Sequence, residues 1–336
     1  MPENVLSVRD LKEALPQIRQ KAFSERIAWE RDTLRDSDGL VEVDEKSKRE
    51  IDELVRILRT NKFPELLLTP DLFDLQHCRK LILRAKDILE NDVGFVLIDR
   101  IPVEKYTTEE SRAIVWVLCQ LLARPVAQSC EGKLLYDVRD SGRRHGNGVR
   151  GSITSVEQHF HTDNNGNVCP PEYVVLFCLQ TAMEGGVNSV ASFYSIHNEL
   201  LNRYPKLLPR FYEGFLIDRQ QEHAPGEPEV ISAPLFQYDG DFLHCRGSHN
   251  LVMAGYKLAQ QEIDPQGKEA LKVLAGVMAE PRFTKEFYFS RGQIQIVDNL
   301  RCGHRRTAFK DFPEPERRRH LIRIWLRNSG RPFYNG

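Results

Sequence analysis

The stretch Gln158-His159-Phe160-His161-Thr162-Asp163-Asn164-Asn165 decides how the chain is read. Side chains on an extended strand alternate between faces with a period of two, so a strand here points His161 and Asp163 the same way. An imidazole nitrogen and a carboxylate on one face are two ligands for one metal ion. A third has to come from far away in sequence, and the comparably organised histidine is His304, in Val297-Asp298-Asn299-Leu300-Arg301-Cys302-Gly303-His304-Arg305-Arg306-Thr307. Two histidines and one carboxylate on one face leave three positions open, the arrangement suited to O2 activation by non-haem Fe(II). His159 shares the face of His161, so a zinc site built from His159, His161 and another residue stays open on spacing alone. His77, His197, His223 and His249 lack such surroundings and read as ordinary polar residues.

Outward from this motif, the texture is that of short strands and Gly-rich turns. On the N-terminal side, Leu134 to Val138, the loop from Ser141 to Gly148, and Gly151 to Val156 lead into it. On the C-terminal side, Glu172 to Leu179 is a continuous apolar run, the pattern of a strand buried on both faces. Gly185-Gly186 turns into Val187 to Ser192, and a helix is expected from about Ser195 to Tyr204. Residues 218 to 234, with Pro225, Pro228 and Pro234 among several acidic residues, read as a long irregular connection of the kind used as a binding loop. Arg291 to Val297 and His320 to Arg327 are the last strands, with the loop Arg306 to Glu316 between them.

Residues 1 to about 90 read instead as helical. Val5, Leu11, Leu15 and Ile18, then Ile51, Leu54, Val55 and Leu58, recur at three- and four-residue spacing, with Asp36-Ser37-Asp38-Gly39 separating earlier helical pieces. Thr69-Pro70-Asp71 offers a helix start running to about Glu90. Val93 to Ile98 is the first strand, and Thr107 with Glu110 forms a capping box for a helix that ends before Arg124-Pro125. The expected class is α+β and β-rich. A jelly-roll core with helical decoration spans 91–336, preceded by a helical extension over 1–90.

Composition narrows the partners. With 47 basic against 48 acidic residues and a formal charge of -1, the chain has no field to recruit nucleic acid or an anionic membrane. No apolar run approaches the ~18 residues that cross a bilayer, and the first residues lack a basic and an apolar signal region. Seven cysteines, odd in number and without a CxxC pair, fit free thiols in a reducing compartment. The expectation is a cytoplasmic protein acting on a small molecule, with a homo-oligomer and a carrier protein left open as partners.

From about Gly94 onward, three ordered motifs resemble the taurine dioxygenase and clavaminate synthase-like (TauD/TfdA) family of Fe(II)/2-oxoglutarate-dependent dioxygenases. Arg150 to Thr154 through Phe160-His161-Thr162-Asp163 is similar to that family's strand and HTD motif. Asp298-Asn299 through His304, with Arg306-Thr307-Ala308-Phe309, is similar to its distal-histidine segment. Arg319 and Arg323, in Arg319-His320-Leu321-Ile322-Arg323-Ile324-Trp325, are similar to its oxoacid-binding element, and their even separation places them on one strand face.

The resemblance implies a double-stranded β-helix fold, Fe(II) held by His161, Asp163 and His304, and 2-oxoglutarate and O2 as cosubstrates. It implies Arg323 on the distal C5 carboxylate, Arg319 near the C1 carboxylate, and Asn188 where relatives often carry a 2-oxoglutarate-binding Thr. Two guanidiniums aimed into an apolar barrel need anions, and a dicarboxylate supplies them. Thr154, Ser155, Glu157 and Arg246 are substrate-side candidates. Ser152, Cys302 and Gly303 depart from the family pattern and are expected to reshape the substrate side. The implied reaction is hydroxylation of an unactivated C–H of a small polar metabolite, amino-acid-like or anionic, in a specialised biosynthetic pathway, with succinate and CO2 released. Desaturation or epoxidation is the alternative within the class, possible also on a carrier-tethered substrate. A non-catalytic metal-binding jelly roll is the alternative outside it. Retention of Asp163 argues against halogenation, which relatives achieve by replacing this carboxylate.

Overall fold

The computed structural model describes residues 17–24, 26–142, 151–224 and 226–335. Two sheets face each other. The larger runs in the order Leu40–Glu42, Phe95–Asp99, Ile294–Asp298, Tyr173–Gln180, His320–Leu326, Pro125–Val126, and Tyr136–Val138 also pairs with His320–Leu326. Its pairings are antiparallel except that of Leu40–Glu42 with Phe95–Asp99. The smaller sheet is antiparallel, in the order Lys285–Phe287, Asn188–Ser192, Cys302–Arg306, Gln158–His161.

Tyr173–Gln180 and His320–Leu326 read as continuous apolar runs because each is covered on both faces. Tyr173, Val175 and Phe177, with Ile322, Ile324 and Leu326, meet Ile51, Leu54, Leu81, Ile82, Ile114 and Leu118 of three helices, Glu45–Thr60, Gln76–Asn91 and Thr108–Gln120. The alternate residues Val174, Leu176, Leu321 and Arg323 line the pocket between the sheets. Period-two alternation therefore sends hydrocarbon outward to the helices and chemistry inward.

Residues 193–284 form a second layer outside the smaller sheet, with its own core of Phe193, Phe211, Phe215, Phe236 and Phe283. Ser192 caps the helix Phe193–Arg203, and two helices not anticipated from the pattern, His249–Leu258 and Pro265–Met278, complete the layer. Segment 218–234 was expected to be irregular. It contributes instead to a hairpin in which Gly214–Asp218 pairs antiparallel with Val230–Pro234, so only its turn is a connection.

Three other expectations shift. Gly151 to Val156 is not a strand. It holds a 3-10 turn, Gly151–Ile153, closed by the bond from Thr154 Oγ1 to the Gly151 carbonyl at 3.0 Å. Pro70 opens only a short 3-10 turn, Pro70–Leu72, and the α-helix begins at Gln76. Before Glu45 the described chain has a 3-10 turn, Arg31–Thr33, and the strand Leu40–Glu42 in place of helical pieces. Val5, Leu11 and Leu15, and loop positions 143 to 148, lie outside the described residues. The capping box at Thr107 and Glu110 forms as expected. Gly185 and Gly186 turn with φ of 72° and 69°, and a side chain on Gly185 would collide with the Ala308 carbonyl.

Candidate metal centre

His161 and His304 sit directly opposite each other on the antiparallel pair Gln158–His161 and Cys302–Arg306. That register brings residues 143 positions apart in sequence to a ring-centroid distance of 4.5 Å. The strand ends at His161, and Asp163 follows in a turn continued by Asn164 at φ 57°. Asn299 fixes that turn: its Oδ1 accepts from Asp163 N at 2.7 Å, and its Nδ2 donates to the Asp163 carbonyl at 3.0 Å. Thr162 N donates to the Gly247 carbonyl at 2.8 Å, and its Oγ1 accepts from Gly247 N at 3.2 Å.

Asp163 Oδ1 lies 3.4 Å from His161 Nε2 and 3.5 Å from His304 Nε2, and the three ligand atoms lie within 4.8 Å of one another. Ligands ~2.1 Å from one ion and roughly at right angles stand ~3 Å apart, so the set fits a single metal ion. His161 Nδ1 faces the His159 carbonyl at 2.8 Å. A carbonyl can only accept, so Nδ1 carries the proton and the Nε2 lone pair is left for the metal. His159 itself is exposed and outside the cluster, which removes the zinc alternative built on it.

The other carboxylate oxygen, Oδ2, accepts from Trp325 Nε1 at 2.7 Å and from Arg323 Nη1 at 3.0 Å. Asp163 thus presents one oxygen to the metal and has the other tied down. Burial alone would raise its pKa, but Arg323 and the two imidazoles outweigh it and hold the carboxyl well below the usual range. Burial, then the neighbouring His161, lowers His304, which favours the neutral ligand form. Arg323 is held in turn, its Nε donating to Gln128 Oε1 at 2.8 Å.

The same pocket is lined by Ser152, Gln158, Asn188, Arg306 and Arg319. Arg319 is buried, and its Nη1 has no partner among the described residues. Burial lowers it to about 10, still a cation at neutral pH. Asn188 is buried and donates Nδ2 to the Gly186 carbonyl at 3.2 Å.

The substrate-side candidates scatter. Thr154 and Ser155 face neighbours through their carbonyls, which accept from Arg306 Nη2 and Phe309 N at 3.0 Å each. Glu157 is exposed, 3.8 Å from His159. Arg246 is a loop clamp, its guanidinium occupied by the carbonyls of Asn165, Asn167 and Val168. Of the three departures, Ser152 lines the pocket with a buried, unpartnered Oγ. Cys302 and Gly303 are not among the residues lining the pocket. Cys302 packs on Val93, and any side chain on Gly303 would meet the Phe193 ring at 2.9 Å. Sequence reading passed over Trp325, Gln128, Asn299 and Arg306. Trp325 shares the parity of Arg319 and Arg323, which was the available signal. Gln128 is 195 residues from its partner, and nothing local marks it.

Set beside known proteins, FR-33289 synthase of Streptomyces rubellomurinus is 29% identical over 324 residues, 94% of this chain and 94% of that protein. The taurine hydroxylase-like protein SAT17 of Stachybotrys chartarum is 27% identical over 269 residues, 76% of this chain and 67% of that protein. Among solved structures, asparagine oxygenase with Fe(II), 3-hydroxyasparagine and succinate aligns at TM-score 0.64 and 19% identity, over 86% of this chain and 93% of its own. The non-heme iron oxygenase OrfP, in a mutant form with (3S)-hydroxy-L-Arg, aligns at TM-score 0.66 and 15% identity, over 86% and 94%. These likenesses establish the double-stranded β-helix fold. Residues 68–325 match the family described as taurine catabolism dioxygenase TauD, TfdA family. That span takes in the three-ligand cluster and both strand arginines, so the chain belongs to this family and is an Fe(II)- and 2-oxoglutarate-dependent dioxygenase that uses O2.

Proposed function

We propose that the chain hydroxylates an unactivated C–H of a small polar metabolite, amino-acid-like or anionic, in a specialised biosynthetic pathway. The observation that carries the reading is the junction, in one pocket, of the His161, Asp163 and His304 cluster with the buried Arg319, whose Nη1 has no partner among the described residues. Support for the substrate class comes from the relatives: hydroxylated asparagine and hydroxylated arginine accompany the two aligned oxygenases, and FR-33289 synthase is similar along 94% of the chain.

Bound Fe(II) with 2-oxoglutarate supplies oxidative decarboxylation to succinate and CO2, with one atom of O2 delivered to the substrate carbon. The chain's own residues set the geometry for that chemistry. His161, Asp163 and His304 would hold the metal, and Arg323 with Trp325 keeps Asp163 ionised with its Oδ2 occupied. The two arginine roles are the reverse of those implied by the resemblance. Arg323 touches a metal ligand and belongs at the C1 end, near the metal. Arg319 lies four residues along the same strand, roughly 13 Å of backbone away, beside Asn188, and takes the distal C5 carboxylate. Val138, Val174, Leu176 and Leu321 give the pocket apolar walls that limit water. Ser152 Oγ is an uncharged polar group on the wall with no partner among the described residues, and it is assigned to the substrate.

The test is succinate release from purified protein with Fe(II), 2-oxoglutarate and a library of amino acids and small anions. The expected outcome is one chemical class that stimulates succinate formation and gains one oxygen per succinate by mass. Stimulation without oxygen gain, the mark of desaturation, would sink the hydroxylase reading.

A further inference from the structure

Arg306 and Arg319 share an unresolved electrostatic problem. They are 3% and 4% exposed, and their guanidiniums pack on one ring, 4.7 and 5.0 Å from the Phe309 centroid. Each has a buried Nη1 with no hydrogen-bond partner among the described residues. Nor does any described carboxylate bond either side chain. Asp311 Oδ1 accepts from the backbone N of Arg319, and Asp140 and Asp311 otherwise act only as more distant charges. Two buried cations against one ring are unfavourable unless an anion balances them.

The other edge of Arg306 is committed. Its Nη2 donates to the carbonyls of Thr154, at 3.0 Å, and Val156, and its Nε donates to the Thr307 carbonyl at 3.3 Å. Phe309 N adds a bond to the Ser155 carbonyl at 3.0 Å. Segment 151–156, which brings Ser152 to the pocket, is therefore tied to the stretch just after His304, and two of the three bonds in that tie come from one guanidinium.

We propose that Arg306 is a positioning residue: together with Arg319 it clamps the distal carboxylate of 2-oxoglutarate, and through the Thr154 and Val156 carbonyls it transmits that occupancy to the substrate-facing 151–156 wall. The inference rests on the reading of Arg319 as the partner of the C5 carboxylate. A carboxylate has two oxygens, enough for one N–H from each guanidinium. Once seated, the anion relieves the repulsion between the cations and fixes the plane of Arg306, and a fixed fork holds both carbonyls in place. Substrate then meets a formed wall only after the cosubstrate is present.

Hydrogen exchange of peptides covering 151–157 in oxygen-free, Fe(II)-loaded protein, with and without saturating 2-oxoglutarate, tests this. The wild type is expected to exchange there about fivefold or more slowly with 2-oxoglutarate, and no change would overturn the proposal without recourse to any variant. Arg306→Lys keeps the charge but not the fork. It is expected to bind 2-oxoglutarate about tenfold more weakly by calorimetry and to show no protection of 151–157 at saturation. Arg319→Met should also bind more weakly yet keep the protection once saturated, because its Arg306 is intact. Full protection in Arg306→Lys would overturn the proposal alone. Unchanged affinity in Arg319→Met would overturn the C5 assignment and the proposal with it.

Discussion

At the metal end of the pocket, Asp163 is buried with Arg323 3.0 Å away and Trp325 2.7 Å away, so negative and positive charge meet inside the protein. At the other end, Arg306 and Arg319 are buried against the Phe309 ring, and among the described residues no carboxylate is bonded to either side chain. The first arrangement holds its shape with nothing added. In the function proposed above, the second is completed by the cosubstrate. Burial lowers Arg319 to about 10, so keeping it charged at neutral pH destabilises the ligand-free fold. The sign follows from linkage: the folded value lies below the unfolded one, so the penalty is full below pH ~10 and fades only at more alkaline pH. The cost at one end is set aside for a ligand, whereas at the other end it is already balanced.

The largest expected effect comes from breaking the balanced end. Asp163→Ala removes a metal ligand and should lower turnover by on the order of a thousandfold or more, read as succinate formation. It also strands Arg323 as a buried charge, costing about 3–5 kcal/mol in thermal or urea unfolding. The double variant Asp163→Ala/Arg323→Met should recover at least half of that stability and none of the activity. If the single variant is as stable as wild type, the charges at the metal end are not balancing each other.

The unbalanced end should respond the opposite way. Arg319→Met is expected to raise KM for 2-oxoglutarate by about ten- to a hundredfold. Without ligand it should leave the melting temperature unchanged or higher, because a cation with no bonded anion has gone. A clear loss of ligand-free stability would mean that Arg319 is already paired inside the fold.

Much of this contrast could be read in advance, and the unread part has physical reasons. His161 and Asp163 were legible from spacing, and the apolar runs at Tyr173–Gln180 and His320–Leu326 announced strands covered on both faces. Parity put Arg319 and Arg323 on one face but says nothing about depth. Which of them reaches the metal depends on where Asp163 ends up, and that is fixed by Asn299, 136 residues away. The 151–156 segment looked extended, but its carbonyls serve as acceptors for Arg306 and Phe309 and its Thr154 hydroxyl bonds backward to Gly151, local bonds that compete with a strand ladder. In 218–234, three prolines hid the alternation of Phe215 and Ile217 against Ile231 and Ala233, which is what pairs the hairpin.

Trp325 offers the finest cut at the balanced end. Its Nε1 is one of two donors on Asp163 Oδ2, and its ring stacks on Tyr334 at 6.2 Å and 18°. Trp325→Phe deletes the donor and keeps an aromatic ring in the same place. Arg323 still neutralises the carboxylate, so Asp163 stays ionised but loses one restraint on the direction in which Oδ1 points. The expected result is metal binding weakened by about tenfold, the low end for removal of a group that orients a ligand, with stability lowered by only about 1 kcal/mol for the lost hydrogen bond. Metal titration followed by equilibrium unfolding separates the two quantities. A variant that binds metal as tightly as wild type would show that charge alone, supplied by Arg323, is enough to aim Asp163. A stability loss of about 3 kcal/mol or more, well beyond one hydrogen bond, would show instead that the indole is packing and not an aiming device.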